Sequence, residues 1–391
     1  MTRSTQLILG AIACCCCLAL AVYAAAPTPP ATQPTKGKPV SDSKAYVRVL
    51  DREGKLSEPV VVPKLVLSDE QWRQRLTPEQ FKIMRSAGTE AAFCGGLLKN
   101  KEAGLYLCAG CALPLFTSGA KFESGTGWPS FFQPAAAENV REIPDFSHGM
   151  VRTEVDCARC GSHLGHLFDD GPPPTGLRFC LNSAALDFVP NEKLKEHGED
   201  VPKTETASVV LAGGCFWCVE GVFEQIDGVY DVISGYAGGS ADTANYKAVC
   251  TGETGHAEAV KIIYDPRRVT YEQLLKVHFG THDPTTLNRQ GNDVGPQYRS
   301  AIFYADEKEK QTAQAFIDDL AGAKSFKKPI VTTLEPLETF YPAEAYHQNY
   351  VCRNPEQGYV AGVALPKVEK VREKFKDLLK PDAPSFEPAG R

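Results

Sequence analysis

At 391 residues, 43% of them hydrophobic and 23% charged, the chain has the balance of a soluble globular protein too long for one ordinary core, so two domains are expected. A formal net charge of −6, with no basic stripe or Lys/Arg run, argues against a nucleic-acid binder. Methionine is scarce (Met1, Met84 and Met150 are the only three), which suits work amid oxidants without requiring it.

Residues 1–26 read as an export signal. Arg3 supplies the positive end, Leu7 to Tyr23 is apolar, and Val22-Tyr23-Ala24 offers small residues for cleavage. The expected location is outside the cytoplasm, periplasmic or extracytoplasmic. The alternatives are a membrane anchor, either the uncleaved segment or a lipid attached at one of Cys14 to Cys17. Residues 27–44, rich in Pro, Thr and Ser, read as an extended tether.

The first domain is expected over 45–198. Ser68-Asp69-Glu70-Gln71 and Thr77-Pro78-Glu79-Gln80 both have the form of a capping box, the second with Pro at the first helical position. The second helix runs through Phe81, Ile83 and Met84 and is expected to stop at Gly88. Short runs broken by Gly and Pro follow (104–108, 150–155 and 176–180), the pattern of an antiparallel β domain. Within it, Cys108-Ala109-Gly110-Cys111 and Cys157-Ala158-Arg159-Cys160 predict one tetrahedral zinc site per chain, held by Cys108, Cys111, Cys157 and Cys160. Each two-residue gap lets a tight turn aim both sulfurs at one ion. With all four positions filled by protein the metal is structural, contributing on the order of 10–16 kcal/mol to folding in peptide systems. Two disulfides or a redox pair are the rival readings of the same cysteines.

Three further stretches carry chemistry that folding does not demand. One is the turn-rich loop Ser124-Gly125-Thr126-Gly127-Trp128, and another is the run from His163 and His166 to Asp170. The third is Arg178-Phe179-Cys180-Leu181-Asn182, with a thiol that zinc does not need and an Arg expected to lower its pKa. A histidine alone is more often a satisfied structural residue, but two beside a free thiol favour proton transfer. These motifs resemble methionine sulfoxide reductase B over about 65–190. The resemblance implies a small zinc domain of two antiparallel sheets that reduces the R epimer of methionine sulfoxide. By motif, Cys180 is the attacking thiol and Trp128 packs on the substrate methyl, while His163, His166, Asp170, Arg178 and Asn182 line the site. Many relatives have a recycling cysteine where this chain has Thr126, so Cys94, beside Gly95-Gly96, is expected to take that part.

Glu192 to Lys203 reads as a charged linker, and the second domain is expected over 204–380, with 381–391 as a tail. The apolar run Ala207 to Ala212 predicts a buried strand, and Val219 to Ile226 a helix, so Gly213-Gly214-Cys215 falls at the turn between them. An unperturbed cysteine, pKa ~8.5, is only about 3% thiolate at neutral pH, and a helix N-terminus that lowers it to ~7 makes it about half thiolate. Phe216 and Trp217 form an aromatic wall beside it. Strands at 229–234, 257–264, 300–304 and 330–334 alternate with helices at 270–278 and 307–320. The expected fold is an α/β sandwich with a mixed sheet, so the whole chain is multidomain. Glu258 is the best candidate acid, because burial and a nearby thiolate both raise a carboxyl pKa, and Tyr246 and Tyr298 are phenolic donors. Cys250 reads as structural.

This half resembles methionine sulfoxide reductase A over about 208–375, an α/β enzyme acting on the S epimer. The resemblance implies Cys215 as nucleophile and Phe216 and Trp217 as the methyl pocket. It places Glu258, Tyr246 and Tyr298 around the sulfoxide oxygen, with Asp293, His347 and Tyr350 orienting the site. Cys218, three residues beyond Cys215, is the expected resolving thiol, with Cys352 as runner-up. Both halves would repair methionine sulfoxide, free or in oxidised proteins, through sulfenic acid and disulfide chemistry recycled by a thioredoxin-like donor. No glycine-rich dinucleotide motif occurs, so no organic cofactor is expected, and a monomer is. A zinc-stabilised thiol module without catalysis and a cysteine hydrolase are the rival functional classes.

Overall fold

The computed structural model describes residues 44–384 and 386. The export segment 1–26, the tether 27–44 apart from Lys44, and most of the tail 381–391 lie outside them. A short ribbon opens the described chain, with β1 (Lys44–Val47) antiparallel to β2 (Val60–Pro63). Both expected capping boxes form, at the starts of α1 (Asp69–Arg75) and α2 (Pro78–Arg85), and in each the cap hydroxyl and the third-position Gln satisfy one another's backbone N–H. Helix α2 ends at Arg85, three residues before the expected stop. Ala87 turns left-handed (φ 48°) and the Gly88 N–H closes back on the Lys82 carbonyl at 3.2 Å.

The first half then builds two antiparallel sheets, as its Gly- and Pro-broken runs predict. Strands β3 (Gly104–Cys108) and β4 (Pro114–Thr117) belong to the smaller sheet, ordered β11-β3-β4, where β11 is Leu186–Pro190. The larger runs β5-β6-β10-β9-β8-β7, comprising β5 (Lys121–Phe122), β6 (Ser130–Phe131), β7 (Val140–Asp145), β8 (Arg152–Cys157), β9 (His163–Phe168) and β10 (Arg178–Leu181). Phe116, Phe131 and Phe179 fill the space between, joined by Trp72 and Met84 from the two helices. The expected linker is not loose. Residues 191–197 wind into 3₁₀ turns, and Arg159 and Arg52 pair with Glu199 (2.8 Å) and Asp200 (2.6 Å).

The second half opens on β12 (Ala207–Gly213), which runs into α3 (Phe216–Phe223) through the Gly-Gly-Cys turn. Then come β13 (Val229–Ala237), α4 (Tyr246–Val249), β14 (Ala257–Tyr264), α5 (Tyr271–Thr281), and the hairpin β15 (Arg289–Gln290) and β16 (Asp293–Val294). After β17 (Ser300–Tyr304), α6 (Glu307–Gly322), β18 (Thr333–Pro336) and β19 (Phe340–Pro342), the chain ends in α7 (Tyr350–Arg353) and α8 (Leu365–Lys374). The sheet order is β18-β17-β12-β14-β13-β19, and β17–β18 is its parallel pair, so the sheet is mixed as expected. The strand expected at 330–334 lies slightly later, because residues 330–332 lead in as loop.

The halves touch. Helix α7 packs on β7, an edge strand of the larger first-half sheet, and Tyr46 stacks on Tyr230 with ring centroids 5.7 Å apart. The start of the expected tail is docked as well, since Asp382 pairs with Lys64 (2.8 Å) and Arg141 (3.2 Å) of the first half. A covered edge strand is protected from pairing with other chains, and here the second half does the covering.

Two candidate active sites and a four-cysteine cluster

In the second half the backbone bend that places Cys215 at the start of α3 needs both glycines. Gly214 has φ 96°, and a Cβ there would meet Gln290 at 2.6 Å, while one on Gly213 would meet the His278 ring at 2.9 Å. Cys215 therefore caps α3, its carbonyl accepting from the Cys218 N–H at 3.1 Å. The carboxylate of Glu258, on β14, accepts from the Phe216 N–H at 3.0 Å. Glu258 is 2% exposed, and burial pushes its carboxyl up to about 8, so at neutral pH it holds a proton to give. The expectation for Cys215 itself is overturned. Burial pushes its thiol well up, and the neighbouring Cys218 pushes the same way, so the resting residue is a thiol and not the half-ionised thiolate that helix position alone suggests.

The aromatic wall forms as expected and is tightly oriented. The Trp217 indole N–H donates to His347 Nδ1 (3.1 Å), and its ring stacks on Tyr350 at 3.7 Å and 5°. An indole N–H only donates, so Nδ1 of His347 is an acceptor and the ring is neutral, consistent with burial pushing it down to about 4. Tyr246 lies 4.3 Å from the His347 ring, and burial pushes the hydroxyls of Tyr246 and Tyr298 far up, so both remain proton donors. Asp293 accepts from the Tyr359 hydroxyl at 2.6 Å, and that hydroxyl lies 3.8 Å from Cys218 Sγ. A hydrogen bond from Cys215, then Lys367 and Tyr359, pull the buried Cys218 thiol down against its own desolvation.

Tyr359 escapes sequence reading because Gln357-Gly358-Tyr359 carries no local signal. Glu344 escapes it too, although its carboxylate accepts from the Tyr236 hydroxyl (2.9 Å) and the Tyr246 N–H (3.0 Å). Cys250, expected to be structural, is exposed. Cys352 is buried on α7 against β7, its thiol donating to the Glu142 carbonyl at 3.5 Å, which leaves it unfavourably placed for exchange.

The first-half site is laid out by strand register. On β10, Cys180 pairs with Ser130 of β6 on one side and His166 of β9 on the other, and Arg178 projects from the same face two residues earlier. The Thr126 hydroxyl is 3.9 Å from Cys180 Sγ, and the half-buried Trp128 follows on the same loop, its indole N–H donating to the Glu90 carbonyl at 3.1 Å. Arg178 pulls the Cys180 thiol down as expected, but it does not decide the outcome. Burial pushes that thiol up by more than Thr126 and Arg178 pull it down, and the guanidinium is committed to both oxygens of Asp170 at 2.7 and 2.9 Å. Nε2 of His166 bonds Asp145 at 2.8 Å, and burial pushes its pKa down, while His163 Nδ1 meets Glu154 at 2.5 Å.

Asn182, expected to line this site, is buried with its amide committed to backbone. Its oxygen accepts from the Glu90 N–H (3.0 Å) and its nitrogen donates to the Leu164 carbonyl (3.1 Å), so it holds the loop after Cys180 in place. Glu90, which the sequence does not flag, caps the 3₁₀ turn after Cys180 by accepting from the Ser183 and Ala184 N–H groups. Cys94 is exposed, four residues beyond Glu90. Its neighbour Phe93 (φ 64°) donates its N–H to the Gly127 carbonyl at 2.8 Å, which sets the Cys94 loop against the Thr126–Trp128 loop.

The sulfurs of Cys108, Cys111, Cys157 and Cys160 are buried and all lie within 4.8 Å of one another. The short spacings run between the motifs: Cys108 to Cys160 is 3.6 Å and Cys111 to Cys157 is 3.5 Å. A tetrahedral ion with metal–sulfur bonds of about 2.3 Å spaces its ligands about 3.8 Å apart, whereas a disulfide needs about 2.05 Å. The cluster fits the ion, and its two short spacings are longer than a disulfide bond allows.

Comparison with known proteins matches the two halves of the chain to two families. Residues 76–190 match the SelR domain, and residues 207–379 match Peptide methionine sulfoxide reductase. The chain is 50% identical over 179 residues to the peptide methionine sulfoxide reductase MsrA of Deinococcus radiodurans, covering 46% of this chain and 87% of that one. It is 53% identical over 170 residues to that of Natronomonas pharaonis, covering 44% and 96%. Among solved structures, reduced Mxr1 from Saccharomyces cerevisiae is 34% identical, with a TM-score of 0.36 over 39% of this chain and 87% of that one. The chain belongs to the methionine sulfoxide reductase family and is a bifunctional member, with a B-type domain followed by an A-type domain and peptide-methionine sulfoxide reductase activity in both.

Proposed function

We propose that the B-type half reduces the R epimer of methionine sulfoxide and the A-type half the S epimer, each through its own thiol cycle. In the A-type site the Cys215 sulfur attacks the sulfoxide sulfur as Glu258 protonates the departing oxygen, with Tyr246 and Tyr298 as further donors. Methionine leaves and Cys215 becomes a sulfenic acid. Cys218 condenses with it, releasing water and forming a disulfide, and an external thioredoxin-like dithiol returns both thiols by exchange. In the B-type site Cys180 attacks beside Trp128, His166 and His163 handle the proton, and Cys94 resolves. The observation that carries the A-type assignment is the buried Glu258 carboxyl, protonated at neutral pH and hydrogen-bonded one residue from the nucleophile.

Zinc is the ion we assign to Cys108, Cys111, Cys157 and Cys160. With no open position for water it supplies only structural anchoring between the loops that flank the B-type site. The N-terminal segment supports export, so that repair takes place outside the cytoplasm. The decisive experiment gives each epimer separately to Cys180→Ser and Cys215→Ser enzyme with dithiothreitol. Each variant is expected to lose one epimer and keep the other; loss of both epimers in either variant would remove the division of labour.

A further inference from the structure

The link between the halves runs into the A-type site itself. Arg353, the last residue of α7, places Nε and Nη2 on the two carboxylate oxygens of Glu142 of β7, at 2.5 and 2.7 Å. The pair is nearly dry, with the Arg353 side chain 12% and the Glu142 side chain 5% exposed. The remaining arm of the fork, Nη1, donates to the Ala345 carbonyl at 2.9 Å. Ala345 opens the 3₁₀ turn that ends in His347, the acceptor of the Trp217 indole, and Tyr350, stacked on Trp217, is the first residue of the same α7. A four-residue helix has no stability of its own and takes its position from what it packs against. Here that support is β7, through the Glu142–Arg353 pair and the Cys352 contact with the Glu142 carbonyl.

We infer that Glu142, a residue of the B-type half, is a positioning residue for the A-type reaction: through Arg353 it sets the turn and helix that hold Trp217, His347 and Tyr350 against the substrate. The inference rests on the reading of those three side chains as the wall of the substrate pocket. A planar guanidinium held at both oxygens fixes direction as well as distance, so a ligand that keeps the charge but lacks the fork does not replace it. The same strand ends in Asp145, which orients His166, so one edge strand braces both active sites.

The test uses the full chain with S- and R-sulfoxide substrates and dithiothreitol. Glu142→Gln keeps the shape and removes the charge. It is expected to raise KM for the S epimer by about tenfold with a smaller change in kcat, as misplacement of a binding wall does, and to leave R-epimer kinetics within about twofold. Arg353→Lys, which retains a cation and is mild to the fold, is expected to give the same one-sided KM rise, and Glu142→Asp to recover part of it. Unchanged S-epimer kinetics in both Glu142→Gln and Arg353→Lys, in an enzyme where Trp217→Ala does raise KM, would overturn the inference and leave the wall intact. If Trp217→Ala itself leaves KM unchanged, the wall reading falls and takes the inference with it.

Discussion

The two sites of this chain solve one chemical problem with opposite architectures. In the A-type half the proposed nucleophile caps a helix, its proposed acid is a carboxyl on the neighbouring sheet, and its proposed resolving thiol is on the first turn of the same helix. In the B-type half the proposed nucleophile lies within a strand, the proposed proton-handling His166 is its cross-strand neighbour fixed by register, and the proposed resolving thiol is on a separate loop. The contrast teaches where each site is vulnerable. One depends on a buried carboxyl beside a helix start, the other on strand register in a sheet that carries the cysteine cluster.

The largest expected effect follows from that cluster. Cys108→Ser should cost most of the binding free energy of the ion, on the order of 10 kcal/mol if zinc occupies the site, and so unfold the B-type half. Thermal unfolding followed with and without a chelator measures this, and unaltered unfolding in both cases would return the four cysteines to a non-metal role. Since β7 would be lost with the B-type sheet, S-epimer KM should also rise, whereas a purely modular chain would keep it.

Next in size is the acid. Glu258→Gln should lower S-epimer kcat by about 10²- to 10⁴-fold, the usual worth of a positioned general acid, with R-epimer turnover untouched. The pH dependence has a definite sign. The folded pKa of Glu258 is raised to about 8, so the stability its acid form contributes is present below the ordinary carboxyl pKa and is lost as pH rises through about 8. S-epimer turnover should fall on that same alkaline limb. Glu258→Gln should therefore be less destabilising at pH above 8 than at pH 5, as paired unfolding curves would show. R-epimer turnover should begin its alkaline fall at a lower pH than S-epimer turnover, because burial pushes His166, the proposed donor, below the usual imidazole value.

The resolving thiols sharpen the comparison further. Cys218→Ser and Cys94→Ser should each leave one turnover and stop thioredoxin-driven recycling of the S and R epimers respectively, in single-turnover and steady-state assays. Only the B-type step should respond to loop geometry. A Cβ on Gly95 would meet Ser183 Oγ at 2.1 Å and Glu90 Oε1 at 2.5 Å, so Gly95→Ala should slow R-epimer recycling while S-epimer recycling keeps its rate. The smallest effect belongs to a cap. Thr77→Ala should cost about 1 kcal/mol of B-half stability and no specificity, read from denaturant midpoints.

Much of this was legible in the sequence, for local reasons. Ser68 and Thr77 cap helices because their side chains reach a backbone N–H three residues on, and Gly213-Gly214-Cys215 is a strand-to-helix turn because no side chain fits there. The spacing of the two Cys-x-x-Cys motifs likewise predicts a single cluster, since each tight turn must aim two sulfurs the same way. Glu344, Tyr359 and Glu90 gave no signal, because each acts through groups far away in the chain. The backbone partners of Asn182 are hidden for the same reason, because Glu90 and Leu164 lie far from it in the chain.

Thus the candidate nucleophiles, the metal-type cluster and the order of the two domains belong to the sequence alone, because short-range spacing and backbone sterics specify them. The protonation of Cys215, Cys180 and Glu258 is decided by tertiary structure, since desolvation depends on what packs around a group and outweighs the helix end or adjacent Arg that the sequence displays. The meeting of Glu142 with Arg353, 211 residues apart, is likewise invisible until the sheet edge and the short helix come together, because an ion pair has no sequence period.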